Sequence, residues 1–117
     1  MKHVAYAEKT SVSVERSRSE IETVVRKYGA THYAYVSEPG RESIQFLCRD
    51  RKIRFVLELP LITDKQFRLD GRGKVRTGQA QFAAWEQGCR QKWRALLLSI
   101  KAKLEAVRAG ISEFEEE

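Results

Sequence analysis

The segment Gln79–Arg108 contains no proline and a single glycine, Gly88, and its apolar side chains recur at helical spacing. Phe82, Trp85, Cys89, Trp93, Leu96, Ile100, Leu104 and Val107 are separated by 3 or 4 residues, an average close to the turn of an α-helix. Thirty residues at about 1.5 Å each make a rod of roughly 45 Å. No other segment is as long. The strands that the rest of the chain can form run to about seven residues, or roughly 23 Å. The helix is therefore expected to outrun the sheet it covers, and any fold for this chain has to accommodate that mismatch.

Two further stripes share the rod. Ala84, Gly88, Gln91, Ala95, Leu98, Ala102, Ala106 and Ala109 lie opposite the tryptophans, and residues this small permit close approach by a second helix. That stripe predicts an oligomer interface through Ala84, Gly88, Ala95, Leu98, Ala102 and Ala106, most simply in a homodimer. Alanine's own helix propensity on a solvated face is the plainer explanation. Between the stripes, Arg90, Arg94, Lys101 and Arg108 fall within about 40° of one another around the helix, while Lys92 and Lys103 sit on the other flank. Only Glu86 and Glu105 oppose these cations within the rod. An ordinary solvated helix mixes charge signs in i,i+4 pairs. A row of one sign points to an anionic partner.

Upstream, Ser17-Arg18-Ser19-Glu20 has the spacing of a capping box. Ile21, Val24, Val25 and Tyr28 follow at helical spacing, and Gly29 supplies a C-terminal stop. These signals predict a helix over about Arg18 to Tyr28. Thr10, Val12 and Val14 alternate with serines and predict a short edge strand. Three strands are expected next, at Thr31–Ser37, Glu42–Arg49 and Ile53–Leu59. Glu38-Pro39-Gly40-Arg41 forms the first turn and Asp50-Arg51 the second link. Links this short require antiparallel pairing. The expected core face is Ile44, Phe46, Cys48, Ile53, Phe55 and Leu57; Gln45, Leu47, Arg54, Val56 and Glu58 take the other. Leu61–Gly78 has no period and an excess of cations, which predicts a basic loop with either a binding role or a connector's mobility. The fold class is thus α+β: a short N-terminal helix, a three- to four-stranded antiparallel meander and a long amphipathic helix on the sheet, in one domain over residues 1–117.

Charge narrows the function. Lys and Arg number 22 against 16 Asp and Glu, a net +6. Setting aside Glu113, Glu115, Glu116 and Glu117 leaves +10 for residues 1–112. Such a body favours polyanions. No apolar run is long enough to span a bilayer, and the N-terminus lacks a secretory signal's apolar stretch, so no membrane partner is expected. Two cysteines make neither a disulfide framework nor a zinc set. His3 and His32 have no second histidine or acidic pair at ligand spacing. Gly71-Arg72-Gly73-Lys74 lacks the Walker spacing and the following Ser or Thr. No catalytic residue, metal site or cofactor is expected. The cations proposed to meet nucleic acid are Arg90, Arg94, Lys101 and Arg108, supported by Lys74, Arg76 and Arg54, with Arg49, Arg51 and Lys52 nearby. Tyr33 and Tyr35 alternate on one strand face and would stack bases if that face is open. Gly110 followed by Ser112-Glu113-Phe114-Glu115 repeats a helix stop and a capping-box start, as though a further helix began where the sequence ends.

The segments Trp85-Glu86-Gln87-Gly88-Cys89-Arg90-Gln91-Lys92-Trp93-Arg94-Ala95-Leu96 and Ile100-Lys101-Ala102-Lys103-Leu104-Glu105-Ala106-Val107 resemble a widespread family of small phage and prophage proteins. Val14–Glu22, Arg26–Ala30 and Arg54-Phe55-Val56-Leu57 with Leu59-Pro60 resemble the same family. The resemblance implies a phage protein acting in bacterial cytoplasm and a chain continuing past the glutamates. It assigns no activity and no site residues. The expected function is a non-enzymatic accessory protein that binds nucleic acid in replication or recombination. The alternative is an anti-defence protein that inhibits a host immune protein or sequesters a nucleotide signal.

Overall fold

The computed structural model describes residues 9–110. Helix α1 (Val14–Lys27) leads into a sheet of β1 (Thr31–Glu38), β2 (Arg41–Cys48) and β3 (Arg51–Glu58). One turn of helix, α2 (Lys65–Arg68), precedes the long α3 (Gly78–Arg108). The architecture is α+β, with α3 packed on an antiparallel sheet of order β1-β2-β3.

Helix α1 begins four residues before the predicted start. Ser13 is its cap, with the Ser13 hydroxyl accepting from the Arg16 backbone N–H at 3.1 Å. Ser17, expected to cap, lies instead inside the helix at 0% exposure. Its buried hydroxyl has no hydrogen-bond partner among the described residues. Ser13, three residues before Arg16 rather than a Glu or Gln, carries no capping-box signal in the sequence, yet it is the cap the structure uses. The helix stops as expected, with Gly29 at φ 97° and Ala30 N–H donating to Val25 O at 2.9 Å. The predicted fourth strand lies partly outside the described residues. Its described portion, up to Ser13, is irregular and Val14 is helical.

The meander has the expected sense. Pro39-Gly40 makes the first turn, with Gly40 at φ 71°. The second turn is Arg49-Asp50 rather than Asp50-Arg51, because Cys48 pairs with Arg51 across it. Both turn residues have positive φ, 53° and 63°, the backbone that a two-residue hairpin needs to match strand twist. In register, Tyr35, Ile44 and Phe55 form one row and Val36, Ser43 and Val56 the next, so the two rows face opposite ways.

The helices cover the Ile44 face. Ile21 and Val25 of α1 meet Ile44, Phe46, Cys48 and Ile53 of the sheet and Trp93, Leu97, Ile100 and Leu104 of α3 in one core. Phe55 and Leu57 pack at its margin. Each such large apolar side chain contributes about 1.5–3 kcal/mol by leaving water. The centre of the α3 stripe is displaced from the prediction: Leu97 is buried where Leu96 was expected, and Phe82 stands 48% exposed. The reason is that α1 as well as the sheet packs on α3, which turns its buried line toward both.

The mismatch between rod and sheet is resolved within the chain. Residues 59–77 form a strap against the N-terminal half of α3. Trp85 Nε1 donates to Pro60 O at 2.9 Å, and Gln81 Nε2 to Ile62 O at 2.8 Å. Phe67 packs against Gly88, where an added Cβ would meet the Phe67 ring at 2.9 Å. Arg76 Nη1 donates to the carbonyls of Gln66 and Phe67 at 3.0 and 3.2 Å. Asp70 folds the tip by accepting from the N–H groups of Arg72 and Lys74. The Lys74 and Arg72 bonds hold the Asp70 carboxyl below its usual range.

Candidate functional site

The predicted basic row divides in two. Its first half turns toward α1. Arg94 Nη1 donates to Glu20 Oε2 at 2.9 Å, and Glu20 Oε1 also accepts from Arg16 at 3.2 Å. Arg90 Nε and Nη2 reach Gln87 Oε1 at 2.9 and 2.6 Å. Helices α1 and α3 run the same way, so Glu20 meets Arg94 and Tyr28 meets Glu105 (2.8 Å) along one seam. Arg94 therefore joins two helices. In the second half, Lys101 and Arg108 are exposed; Glu105 of the seam lies between them, and the Arg108 guanidinium is 5.9 Å from the centre of the Tyr28 ring.

The supporting cations are scattered. Arg76 is held by the strap's own carbonyls, as described above. Lys74 is exposed at the strap tip, and Lys74 and Arg76 lie toward the end of α3 opposite to Arg108. From Gly88, where the strap docks, to Arg108 is about 30 Å along the helix. Arg54 pairs with Gln45 on the sheet face turned away from the helices. The predicted site thus separates into four regions: the two halves of the row, the strap and the outer sheet face.

Tyr33 and Tyr35 lie on the covered sheet face. The Tyr35 ring meets Trp93 edge-on with centroids 6.0 Å apart, and the Arg18 guanidinium lies 4.2 Å from its centre. Tyr33 has its hydroxyl buried without a hydrogen-bond partner among the described residues. Burial first, and then Glu22, push that hydroxyl up to about 12. The face that would have to be open for base stacking is closed by α1 and α3. The first half of the predicted oligomer stripe is covered from within the chain. Gly88 takes Phe67 and Pro60 of its own chain, and Ala84 and Ala95 line the groove between strap and helix. The close approach allowed by small residues is made intramolecularly. Leu98 is half-buried; Ala102 is exposed and Ala106 half-buried.

One end of the molecule gathers cations that the sequence separates widely. Lys27 closes α1, Arg49 stands in the β2–β3 turn and Arg108 ends α3. All three line a cavity of about 460 Å³ with Tyr28, Gly29, Leu104 and Val107. Arg51 and Lys52 follow the same turn. No acidic side chain lines the cavity among the described residues. Lys27 was missed because a cation in a last helical turn is explained by the helix dipole alone. Arg49 had been counted among nearby cations. The signal that would have singled it out was its place in a two-residue turn, set by a one-residue change of register.

A second cavity, of about 570 Å³, opens between α1 and the first half of α3. Arg18 and Arg90 there face Glu15, Glu42 and Glu86, with Trp85, Trp93 and Cys89 among the walls. Its mixed charge gives no preference for an anion. Burial, then Glu42 and Glu86, push the Cys89 thiol up, and burial does the same to Cys48. Both cysteines are thus poor thiolates near neutral pH. His32 is exposed, its Nδ1 2.9 Å from Thr31 Oγ1. Among the described residues, no three His, Cys, Asp or Glu side chains gather as a metal set, and no helix is long and apolar enough to cross a membrane.

No family model, curated protein or solved structure matches this chain.

Proposed function

We propose that this chain is a non-enzymatic accessory protein that binds nucleic acid through the phosphate backbone. The observation that carries the reading is the convergence of Lys27, Arg49 and Arg108 from three elements on one cavity. Cations brought together by the fold, with no carboxylate among the described lining residues, favour an anion more than the same number spread along a surface. The resemblance of the α3 sequence to small phage proteins supports a phage setting, with work in replication or recombination. Arg90 and Arg94, which fasten α3 locally, are assigned no part in binding.

The test is a salt titration of binding to single- and double-stranded DNA. Affinity is expected to fall with rising salt, with a log–log slope of about 0.7–0.9 per phosphate contacted. Replacing Lys27, Arg49 and Arg108 together by Ala should abolish binding, while Lys65→Ala with Lys74→Ala should leave it nearly unchanged. Absence of binding at low salt, or equal loss in the two variants, refutes the reading. Co-purification of a stoichiometric host protein instead would favour the anti-defence alternative.

A further inference from the structure

The two edges of the sheet are built differently. β1 carries a register shift between Thr31 and Ala34, with His32 at φ 54°. Such a bulge bends an edge strand and turns it away from partners. β3 pairs with β2 in unbroken register from Arg51 to Glu58 and contains neither proline nor glycine. A straight edge of 8 residues is the geometry that accepts another strand.

The two-residue turn at Arg49-Asp50 fixes which groups of β3 face outward. Cys48 and Arg51 flank that turn as a hydrogen-bonded pair. In alternation, Ile53, Phe55 and Leu57 then bond to β2, while the N–H and C=O groups of Lys52, Arg54, Val56 and Glu58 point away from it. No backbone bond from another described segment reaches those four residues. Their side chains are exposed on the sheet face turned away from the helices, Val56 at 41%. On the covered face, Phe55 and Leu57 stay half-buried at the margin of the core. The β3 edge thus offers unused ladder bonds with incompletely covered apolar side chains on both faces.

The charges select the partner. Lysine and arginine on an edge ordinarily keep strands apart. In β3, Glu58 stands as far after Phe55 as Lys52 stands before it. An antiparallel copy centred on Phe55 therefore sets Lys52 against Glu58 of the second copy, Arg54 against its Val56 and Ile53 against its Leu57. Outward-facing groups meet outward-facing groups along the whole strand, each such pair exchanging two backbone bonds. The neighbouring registers are worse. One sets Arg54 against Arg54 of the second copy, and the other sets Lys52 against its Pro60, which has no N–H.

The geometry points to a homodimer in which two β3 strands pair antiparallel about Phe55, joining two three-stranded sheets into one. The pairing uses none of Lys27, Arg49 and Arg108 and stands independently of the nucleic-acid reading. A single strand pair makes a small interface, so association is expected in the micromolar range.

Sedimentation equilibrium of the full chain over that range should show monomer and dimer in exchange. Lys52→Glu or Glu58→Lys alone turns both attractive pairs repulsive and should weaken the dimer by about tenfold or more. The double variant Lys52→Glu with Glu58→Lys restores opposite charges and should recover the dimer. Val56→Pro removes an edge-facing N–H and should give a monomer with an unchanged circular dichroism spectrum. Amide exchange at Arg54 and Val56 should be slow in the dimer and quicken on dilution. A chain that stays monomeric at millimolar concentration overturns the proposal. A dimer indifferent to both single charge reversals overturns it too and places the interface elsewhere. If Val56→Pro does not fold, recovery in the charge-swapped variant decides: a dimer lost in each single variant and not regained in the double one refutes the register.

Discussion

The strap end and the hairpin end of this molecule are both rich in cations, and they use them differently. At the strap, Arg76 donates to the carbonyls of Gln66 and Phe67, and Arg68 Nε to Thr63 O at 3.0 Å. The guanidinium groups there replace the backbone bonds that an irregular segment lacks. At the hairpin end, Lys27, Arg49 and Arg108 come from three elements and line a shared cavity. A count of Lys and Arg treats these ends alike. The strap's guanidinium groups are spent on carbonyls of their own segment, while the cations of the hairpin end line a cavity.

The sharpest way to break this contrast is at Phe67, which is 5% exposed and seats the strap on Gly88. Phe67→Ala should destabilise by about 3–5 kcal/mol in denaturant unfolding. Gly88→Ala alone should cost about 1–3 kcal/mol, because its Cβ meets the ring at 2.9 Å. In the Phe67→Ala background the same change should turn neutral or stabilising, since alanine is the better helix former by about 1 kcal/mol. An additive cycle would show that the strap does not dock there.

Arg76→Ala should lose about 1–3 kcal/mol, by leaving two carbonyls without their charged donor, whereas Arg108→Ala should stay within about 0.5 kcal/mol in stability. If their effects on stability are equal, the two ends are not the different devices described. Arg94→Ala provides a smaller test. Removing its pair with Glu20, a half-buried charged hydrogen bond, should cost about 1 kcal/mol and leave DNA affinity unchanged. Lost affinity with intact stability would return Arg94 to the binding row.

The mildest probe is acid. The folded Asp70 carboxyl titrates below its unfolded value, so its contribution is present above the unfolded pKa and is lost as pH falls through the folded one. Amide exchange at Arg72 and Lys74 should quicken over that range. Asp70→Asn should remove the dependence.

Much of the fold was legible because it rests on short-range rules. The stop of α1 at Gly29, the Pro39-Gly40 turn, the alternating sheet face and the extent of α3 each follow from a few neighbouring residues. Ser17 shows the limit: its capping-box spacing with Glu20 is real, but Ser13 caps the helix and Ser17 is buried inside it. The strap was illegible for a related reason. Its order comes from Phe67 meeting Gly88 and Trp85 meeting Pro60, contacts that leave no period in the sequence. The candidate site was read in part. Lys101 and Arg108 came from helical spacing, whereas Lys27 and Arg49 joined Arg108 only through the fold.

The sequence by itself determined that this chain has one rod longer than its sheet, a meander with one apolar face, and a large positive surplus. Helical pitch, strand alternation and composition are properties of neighbours along the chain. The tertiary structure decided what covers the surplus rod, which face of the tyrosines meets water, and which arginines are tied to carbonyls or carboxylates. Those outcomes depend on distances between residues far apart in sequence. A guanidinium has the same charge in either setting, but its reach of a few ångströms makes its partner a matter of packing alone.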